Sequence, residues 1–258
     1  MRKFLLSVFL LLIVSVAFAH GEIEETEAVS SLTVAATAFT VLILLVFIAY
    51  HGKAHIEGNK KTTLYVLIVI VTLSTTAYIA GGTVLHNIES VTDGPVHWHA
   101  DLEIWGCGEK LDMMDPEGLE NRVGTSVFHE HGDDRIHVEG TPKTLEEVSL
   151  HEFFEVIGGE LEENILAVPT NDEREQFING AACDSGEIGF LQVFVYKTDG
   201  DKYYQEKLTN FEDYVLSPYS NVPPGDCIII EFGEEKEKTD HLCTTYRVAA
   251  ENGKIVEG

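Results

Sequence analysis

Two long segments without a charged residue constrain the architecture of this chain more than any other feature. Residues 31–50 and residues 62–82 contain no Asp, Glu, Lys or Arg and are rich in Val, Leu and Ile. A helix of about 20 such residues crosses a hydrocarbon core of about 30 Å, because each residue adds about 1.5 Å of length. The sequence therefore predicts two transmembrane helices, one over 31–50 and one over 62–82.

The loop at 51–61 indicates how this helical hairpin is oriented. It carries three lysines, whereas residues 20–30 carry four glutamates and no basic residue. Positive charge near the ends of spans favours the cytoplasmic side, so the loop is predicted to be cytoplasmic and both outer ends to lie outside. Because neither span contains an ionisable side chain of the kind that marks a transport path, the pair is predicted to be a membrane anchor.

The segments on either side of the hairpin complete the domain organisation. Arg2 and Lys3, an apolar stretch over 4–16 and an Ala-x-Ala sequence at 17–19 predict a signal peptide over residues 1–19, with an uncleaved signal anchor as the alternative. Residues 83–96 are predicted to be a tether that ends in the turn sequence Asp-Gly-Pro. Residues 97–258 are then an extracytoplasmic domain at the cell membrane.

The net charge of −26 is confined to the C-terminal two thirds of the chain. Residues 1–82 have five basic and five acidic residues, whereas residues 83–258 have 12 basic and 38 acidic residues. Such a surface argues against nucleic acid as a partner, since phosphate binding requires clustered Lys and Arg. Solubility at high salt explains the charge most simply, and an acidic docking face is the alternative.

The hydrophobic pattern of the exported part predicts a mostly antiparallel β (α+β) domain. Residues 97–105 alternate between apolar and polar side chains, as expected for a strand with two different faces. A capping sequence and a Phe pair predict a short helix over 149–157. Further strands are predicted at 127–131, 135–139, 189–197, 202–207, 227–232 and near 241–249.

All four cysteines lie in the exported part, where an even number favours disulfide bonds. Four cysteines allow three pairings. Cys227 and Cys243 are equidistant from Glu235 in the predicted last turn, which favours a Cys227–Cys243 bond across a hairpin and leaves Cys107 for Cys183.

Five histidines within residues 97–137 predict a metal site. His97 and His99 form one His-x-His pair, His129 and His131 form another, and His137 is a possible fifth ligand. Residues two apart on a strand point to the same face, so two neighbouring strands would bring four imidazoles together. Imidazole suits copper and zinc. Nearby carboxylates on the same faces, which can hold the imidazoles or bind the metal, are Asp101, Glu103 and Glu139.

These motifs also resemble a family. The strand His97–Ile104, the segment His129–Gly140 and the Phe-pair helix at 149–154 are similar to a group of secreted or membrane-anchored prokaryotic proteins of uncharacterised function with paired motifs H-x-H-x-x-L-x-I and H-x-H-x-x-x-x-I-H-V-E. The resemblance covers roughly residues 95–232 and not the membrane hairpin. It implies a fold and a candidate metal site, but no reaction.

Three functions fit these observations. The first is a membrane-anchored extracytoplasmic protein that holds copper or zinc for storage, sensing or delivery, without catalysis. The second is a zinc-dependent hydrolase or hydratase, in which three histidines hold zinc, a water occupies the fourth position, and Glu103 or Asp101 acts as the base. The third is a cell-surface interaction module without metal. No catalytic residue follows from the sequence alone.

Overall fold

The structure is a computed structural model that describes residues 30–52, 57–114, 125, 127–129, 132–133, 135–216 and 225–258. The signal peptide predicted at 1–19 and residues 53–56 of the predicted cytoplasmic loop lie outside the described residues. The chain divides into two compact units, Met1–Leu85 and His86–Gly258.

Two long apolar helices form where the sequence predicts them. Helix α1 covers Ser31–Gly52 and helix α2 covers Asn59–Glu89. Their 22 and 31 residues correspond to about 33 and 46 Å, so both are long and apolar enough to cross a membrane. No side chain of either helix is buried. Helix α2 continues to Glu89, well into the stretch predicted as a tether.

The second unit is rich in β structure. Its elements in chain order are β1 (Val96–Gly106), β2 (Glu109–Leu111), β3 (Phe128–His129), β4 (Arg135–Gly140), a 3₁₀ turn (Glu146–Val148), α3 (Leu150–Val156), β5 (Glu160–Glu162), β6 (Ile165–Pro169), β7 (Arg174–Ile178), β8 (Phe190–Asp199), β9 (Lys202–Leu208), β10 (Asp226–Gly233), α4 (Thr244–Glu251) and β11 (Val256–Glu257). The main sheet has the order β11-β9-β8-β10-β1-β4-β3, with β2 paired to β1, and β5-β6-β7 form a second sheet.

The strand directions make this a mixed sheet. Among the described residues, seven of the nine strand pairings are antiparallel, whereas β1 with β10 and β9 with β11 are parallel. The parallel pair of β1 and β10 at the centre of the sheet was not expected from the sequence. The prediction of a strand near 241–249 is wrong, because most of this segment forms helix α4. Tyr246 and Ala249, three residues apart, place one helical face against the sheet.

Both faces of the main sheet are covered. On one face, Ala100, Leu102 and Ile104 of β1 pack in a core with α3 and the second sheet. On the other face, residues of β8 and β10 pack against α4 in a smaller core, to which Trp105 is added. Because side chains alternate along a strand, His97, His99, Asp101 and Glu103 of β1 belong to this second face.

The two predicted disulfides are confirmed. Cys107, in the turn between β1 and β2, is bonded to Cys183 before β8. Cys227 at the start of β10 is bonded to Cys243, the residue before α4. The second bond therefore ties a helix to the sheet and does not close the hairpin that the sequence indicated.

Candidate metal centre

Three histidines on three neighbouring strands stand in one row of the main sheet. His99 of β1 is in register with His137 of β4, and His137 is in register with His129 of β3. In the next row, His97 is in register with Glu139. Antiparallel pairing places the side chains of registered residues on the same face. The pairing of β1 with β4 therefore joins the first His-x-His motif to His137.

His97, His99 and His137 form a group that can hold a metal ion. One ligand nitrogen from each of them lies within 4.8 Å of the other two. The ring centroids are 4.6 Å apart for His97 and His99, and 4.6 Å apart for His99 and His137. The side chain of His137 is only 9% exposed, whereas that of His97 is 62% exposed. The group thus has a buried floor and one side open to solvent.

Two carboxylates hold two of these rings. Nε2 of His97 lies 3.2 Å from Oε1 of Glu139, and Nε2 of His137 lies 3.3 Å from both carboxylate oxygens of Asp133. A carboxylate that accepts a hydrogen bond from one ring nitrogen fixes the tautomer and leaves the other nitrogen for a metal. His137 therefore has the kind of support that ligands in metal sites have, and His97 has a carboxylate at ion-pair distance.

The other two carboxylates on this face of β1 have different contacts. Oδ1 of Asp101 accepts a hydrogen bond of 2.6 Å from Nε of Arg135, which ties β1 to β4 beside the histidines. Glu103 accepts a hydrogen bond from Nε1 of Trp105 at 3.3 Å and forms an ion pair with Lys110 at 3.6 Å. Of the three carboxylates expected near the imidazoles, only Glu139 touches one of the grouped histidines.

The surroundings of His99 favour its neutral form. Burial first, and then the neighbouring His137, Arg135 and His97, together lower the pKa of His99 from 6.5 to about 4. A metal binds the neutral imidazole and competes with the proton for it. His99 is therefore ready to bind a metal even in mildly acidic solution.

The remaining predicted ligands are placed differently. His129 is outside the group of three, and its Nδ1 lies 3.9 Å from Oε2 of Glu139, so Glu139 lies between His129 and His97. His131 lies outside the described residues. His137, which the sequence offered as a fifth ligand, is at the centre of the row.

Sequence reasoning missed the role of Asp133. Asp133 and His137 are four residues apart, a spacing that brings side chains together on a helix but not along a strand. Here Asp133 precedes β4, and its carboxylate lies 3.3 Å from the ring of His137. The acidic run before the strand was the available signal, because such a loop can approach the start of its own strand.

No protein-family model matches this chain, and neither curated proteins nor solved structures give a match. The interpretation of the site therefore depends on its own geometry and chemistry.

Proposed function

We propose that this chain is a membrane-anchored extracytoplasmic protein that binds copper or zinc through His97, His99 and His137, for storage, sensing or delivery of the metal. The observation that carries the proposal is the convergence of three ring nitrogens within 4.8 Å of one another. Three imidazoles, two of them held by carboxylates, match the preferences of copper and zinc and not those of calcium or magnesium, which take oxygen ligands.

Two further observations support the location. Large apolar side chains such as Phe39, Val46 and Leu73 are at least 59% exposed on the two helices, a surface that lipid would cover. Both disulfides belong to the second unit, and such bonds persist in oxidising compartments outside the cytoplasm. The lysines of the 51–61 loop support an orientation of the two helices in which this loop is in the cytoplasm.

A zinc enzyme is a second candidate, because His97 leaves the metal position open to solvent. Three protein ligands and a water are the arrangement of catalytic zinc sites, in which the bound water has a pKa near 7. Asp133 and Glu139 would then be the carboxylates beside the metal. Hydration of CO₂ or hydrolysis of an activated ester by the zinc-loaded chain, absent without zinc, would favour this candidate over storage or delivery.

The metal content of the chain tests the proposal directly. The full-length chain, purified in detergent without a histidine tag, is analysed by mass spectrometry after incubation with copper or zinc and removal of excess metal. We expect about one ion per chain, and loss of that ion in His99→Ala. His151→Ala is the matched control, since His151 lies on α3 and contacts Glu155 and Glu162 outside the group. If the wild-type chain retains neither metal, both metal-binding functions are rejected, and a cell-surface interaction module is the remaining hypothesis.

The orientation has its own test. All four native cysteines are disulfide-bonded, so a new cysteine is the only free thiol. We expect a membrane-impermeant maleimide to label Asp199→Cys, at the exposed end of β8, on intact cells, and to label Glu57→Cys only after lysis. Labelling of both variants on intact cells would contradict the cytoplasmic loop.

The resemblance to the uncharacterised family with paired His-x-His motifs is also a proposal. Of the motif histidines, the group uses His97, His99 and His137. If His129→Ala still retains the metal, His129 of the second His-x-His pair contributes to the fold or to entry of the ion and not to metal binding.

A further inference from the structure

A polar cleft lies next to the three histidines on the same face of the sheet. Its volume is about 330 Å³. The residues that line it come from β1, from the segments that follow β2 and precede β4, and from the start of α4, and they are Asp101, Leu102, Glu103, Asp112, Gly132, Asp133, Cys243, Thr244 and Thr245. Asp133 borders both this cleft and His137, so the cleft and the metal group are neighbours.

The cleft is lined by four carboxylates. Among the described residues that line it there is no Lys, Arg or His. Arg135 and Lys110 each contact one of these carboxylates, at Oδ1 of Asp101 and at Oε1 of Glu103. Each carboxylate can accept about four hydrogen bonds or ligand bonds, so these contacts leave acceptor capacity in the cleft. Its charge favours a cationic ligand.

Asp101 provides an independent indication of a ligand. The residue is 4% exposed, and its Oδ2 is buried without a hydrogen bond of ordinary geometry in the described part of the chain, although the Thr245 hydroxyl lies beside the carboxylate. A buried polar atom without a partner costs about 1–3 kcal/mol, more when it is charged, so natural structures rarely leave one. Because Asp101 lines the cleft, a cation there would supply the missing partner.

We propose that this cleft binds a hard divalent cation of the Ca²⁺ class, separately from the copper or zinc site. Ca²⁺ takes six to eight oxygen ligands, including carboxylates, backbone carbonyls and waters. The cleft offers the carboxylates of Asp101, Glu103, Asp112 and Asp133 and the hydroxyls of Thr244 and Thr245. The histidine group offers nitrogen, so the two sites differ in the kind of metal that they prefer. This site does not depend on the proposed function, because its ligands exclude the three histidines.

Terbium luminescence tests the site, because Tb³⁺ is an oxygen-seeking ion and Trp105 lies close enough to sensitise it. The indole Nε1 of Trp105 donates to Oε2 of Glu103, a side chain that lines the cleft. The full-length chain in detergent, in about 0.15 M salt, is titrated with Tb³⁺ under excitation of tryptophan. We expect saturation near one ion per chain and displacement by excess Ca²⁺.

Matched variants separate this site from general attraction to an acidic surface. We expect Asp112→Asn to weaken Tb³⁺ and Ca²⁺ binding at least tenfold, and Asp199→Asn, which changes an exposed carboxylate at the end of β8, to leave both unchanged. His97→Ala should remove copper or zinc without changing the Tb³⁺ signal. Calcium should also raise the melting temperature of the wild type and of Asp199→Asn, but not of Asp112→Asn. Equal Tb³⁺ and Ca²⁺ affinity in Asp112→Asn and the wild type would overturn the proposal, and so would loss of the Tb³⁺ signal in His97→Ala.

Discussion

Gly225 lies directly against the backbone carbonyl of His99. A Cβ atom at position 225 would be 1.3 Å from that oxygen, and the residue has a φ of +83°, which L side chains rarely adopt. Asp226, the next residue, begins the parallel pairing of β10 with β1 opposite Ala100. The Tyr246 hydroxyl donates to the carbonyl of Gly225 at 3.2 Å, which fixes the turn from the side of α4. The glycine thus sets how closely β10 approaches the strand that carries two histidines of the group.

Replacing this glycine should damage both stability and metal binding. We expect Gly225→Ala to lower the free energy of unfolding by about 2–5 kcal/mol, because it adds backbone strain and an overlap that only movement of β1 relieves. Movement at His99 should also reduce copper or zinc retention. Gly200→Ala is the matched control, since Gly200 has a φ of +65° but nothing within 4 Å of its Cβ position. Equal losses in urea unfolding for the two variants would contradict the role of the close contact.

Glu139 should act on the metal through His97. One oxygen of its carboxylate lies 3.2 Å from Nε2 of that ring, at ion-pair distance. Glu139→Gln keeps the size of the side chain but removes the charge that orients the imidazole, and loss of such a partner typically weakens metal affinity 10–100-fold. We expect a competition titration with a chromogenic zinc chelator to show a loss in this range. Glu155→Gln, beside His151 at 3.7 Å, is the control and should leave the affinity unchanged.

His99 should remain neutral in mildly acidic solution when no metal is bound. Burial first, and then the nearby His137, Arg135 and His97, lower its pKa to about 4 from 6.5. Between these values the unfolded chain binds more protons than the folded chain, so the contribution of His99 to stability is complete above pH 6.5 and is lost as the pH falls to 4. NMR of histidine-labelled chain, with His99→Gln to assign the signal, should show titration near pH 4. Titration at the ordinary value would contradict the burial of this ring.

Much of the fold follows from local patterns in the sequence. The helices α1 and α2, the hairpin of β8 and β9 and the short helix α3 have strong periodicity or cap and turn signals. The prediction of a strand near 241–249 is wrong because the segment after Cys243 forms a helix that buries Tyr246. Short apolar segments of this kind fit both the helical and the strand periodicity. Which strand lies beside β1 depends on contacts distant in sequence, such as the approach of Gly225, which no local pattern encodes.

The same distinction explains the candidate site. That His97 and His99 share a face follows from strand geometry, so the sequence predicted it. The partner was expected to be the second His-x-His pair, but register decides the outcome, and it places His137 opposite His99. Only the folded chain shows that Asp133 contacts His137 and that Asp101 accepts a hydrogen bond from Arg135.

The two disulfides should contribute unequally to stability. The Cys107–Cys183 bond spans a sequence separation of 76 residues and the Cys227–Cys243 bond spans 16. Loop-closure entropy then gives about 4.5 kcal/mol for the longer loop and about 3 kcal/mol for the shorter one. We expect the double serine variant at Cys107 and Cys183 to lose more free energy of unfolding in urea than the one at Cys227 and Cys243. The reverse order would show that the anchoring of α4 to β10 outweighs the loop length.

Asp226 should make stability decrease as the pH rises through the mildly acidic range. Burial raises its pKa from 3.8 to about 6, against the hydrogen bond of 2.5 Å that the Tyr214 hydroxyl donates to Oδ2 and the charge of Lys197, which lower it. Its Oδ1 is buried without a partner among the described residues, so the charged form is poorly supported. Between pH 3.8 and 6 the folded chain therefore binds more protons than the unfolded chain, and the folded state loses stability as the pH rises.

Asp226→Asn removes this titration while keeping the shape of the side chain. Relative to the wild type, the variant should gain free energy of unfolding as the pH rises from 4 to 7, by about 2 kcal/mol from the shift in pKa. Urea unfolding at several pH values measures the difference in free energy of unfolding between the two proteins. Because both contain His99, its opposite contribution cancels in this difference. Asp199→Asn, at the exposed end of β8, should show a difference that does not vary with pH. A flat difference for Asp226→Asn as well would mean that the buried carboxylate finds a partner in its charged form, and the raised pKa would then be wrong.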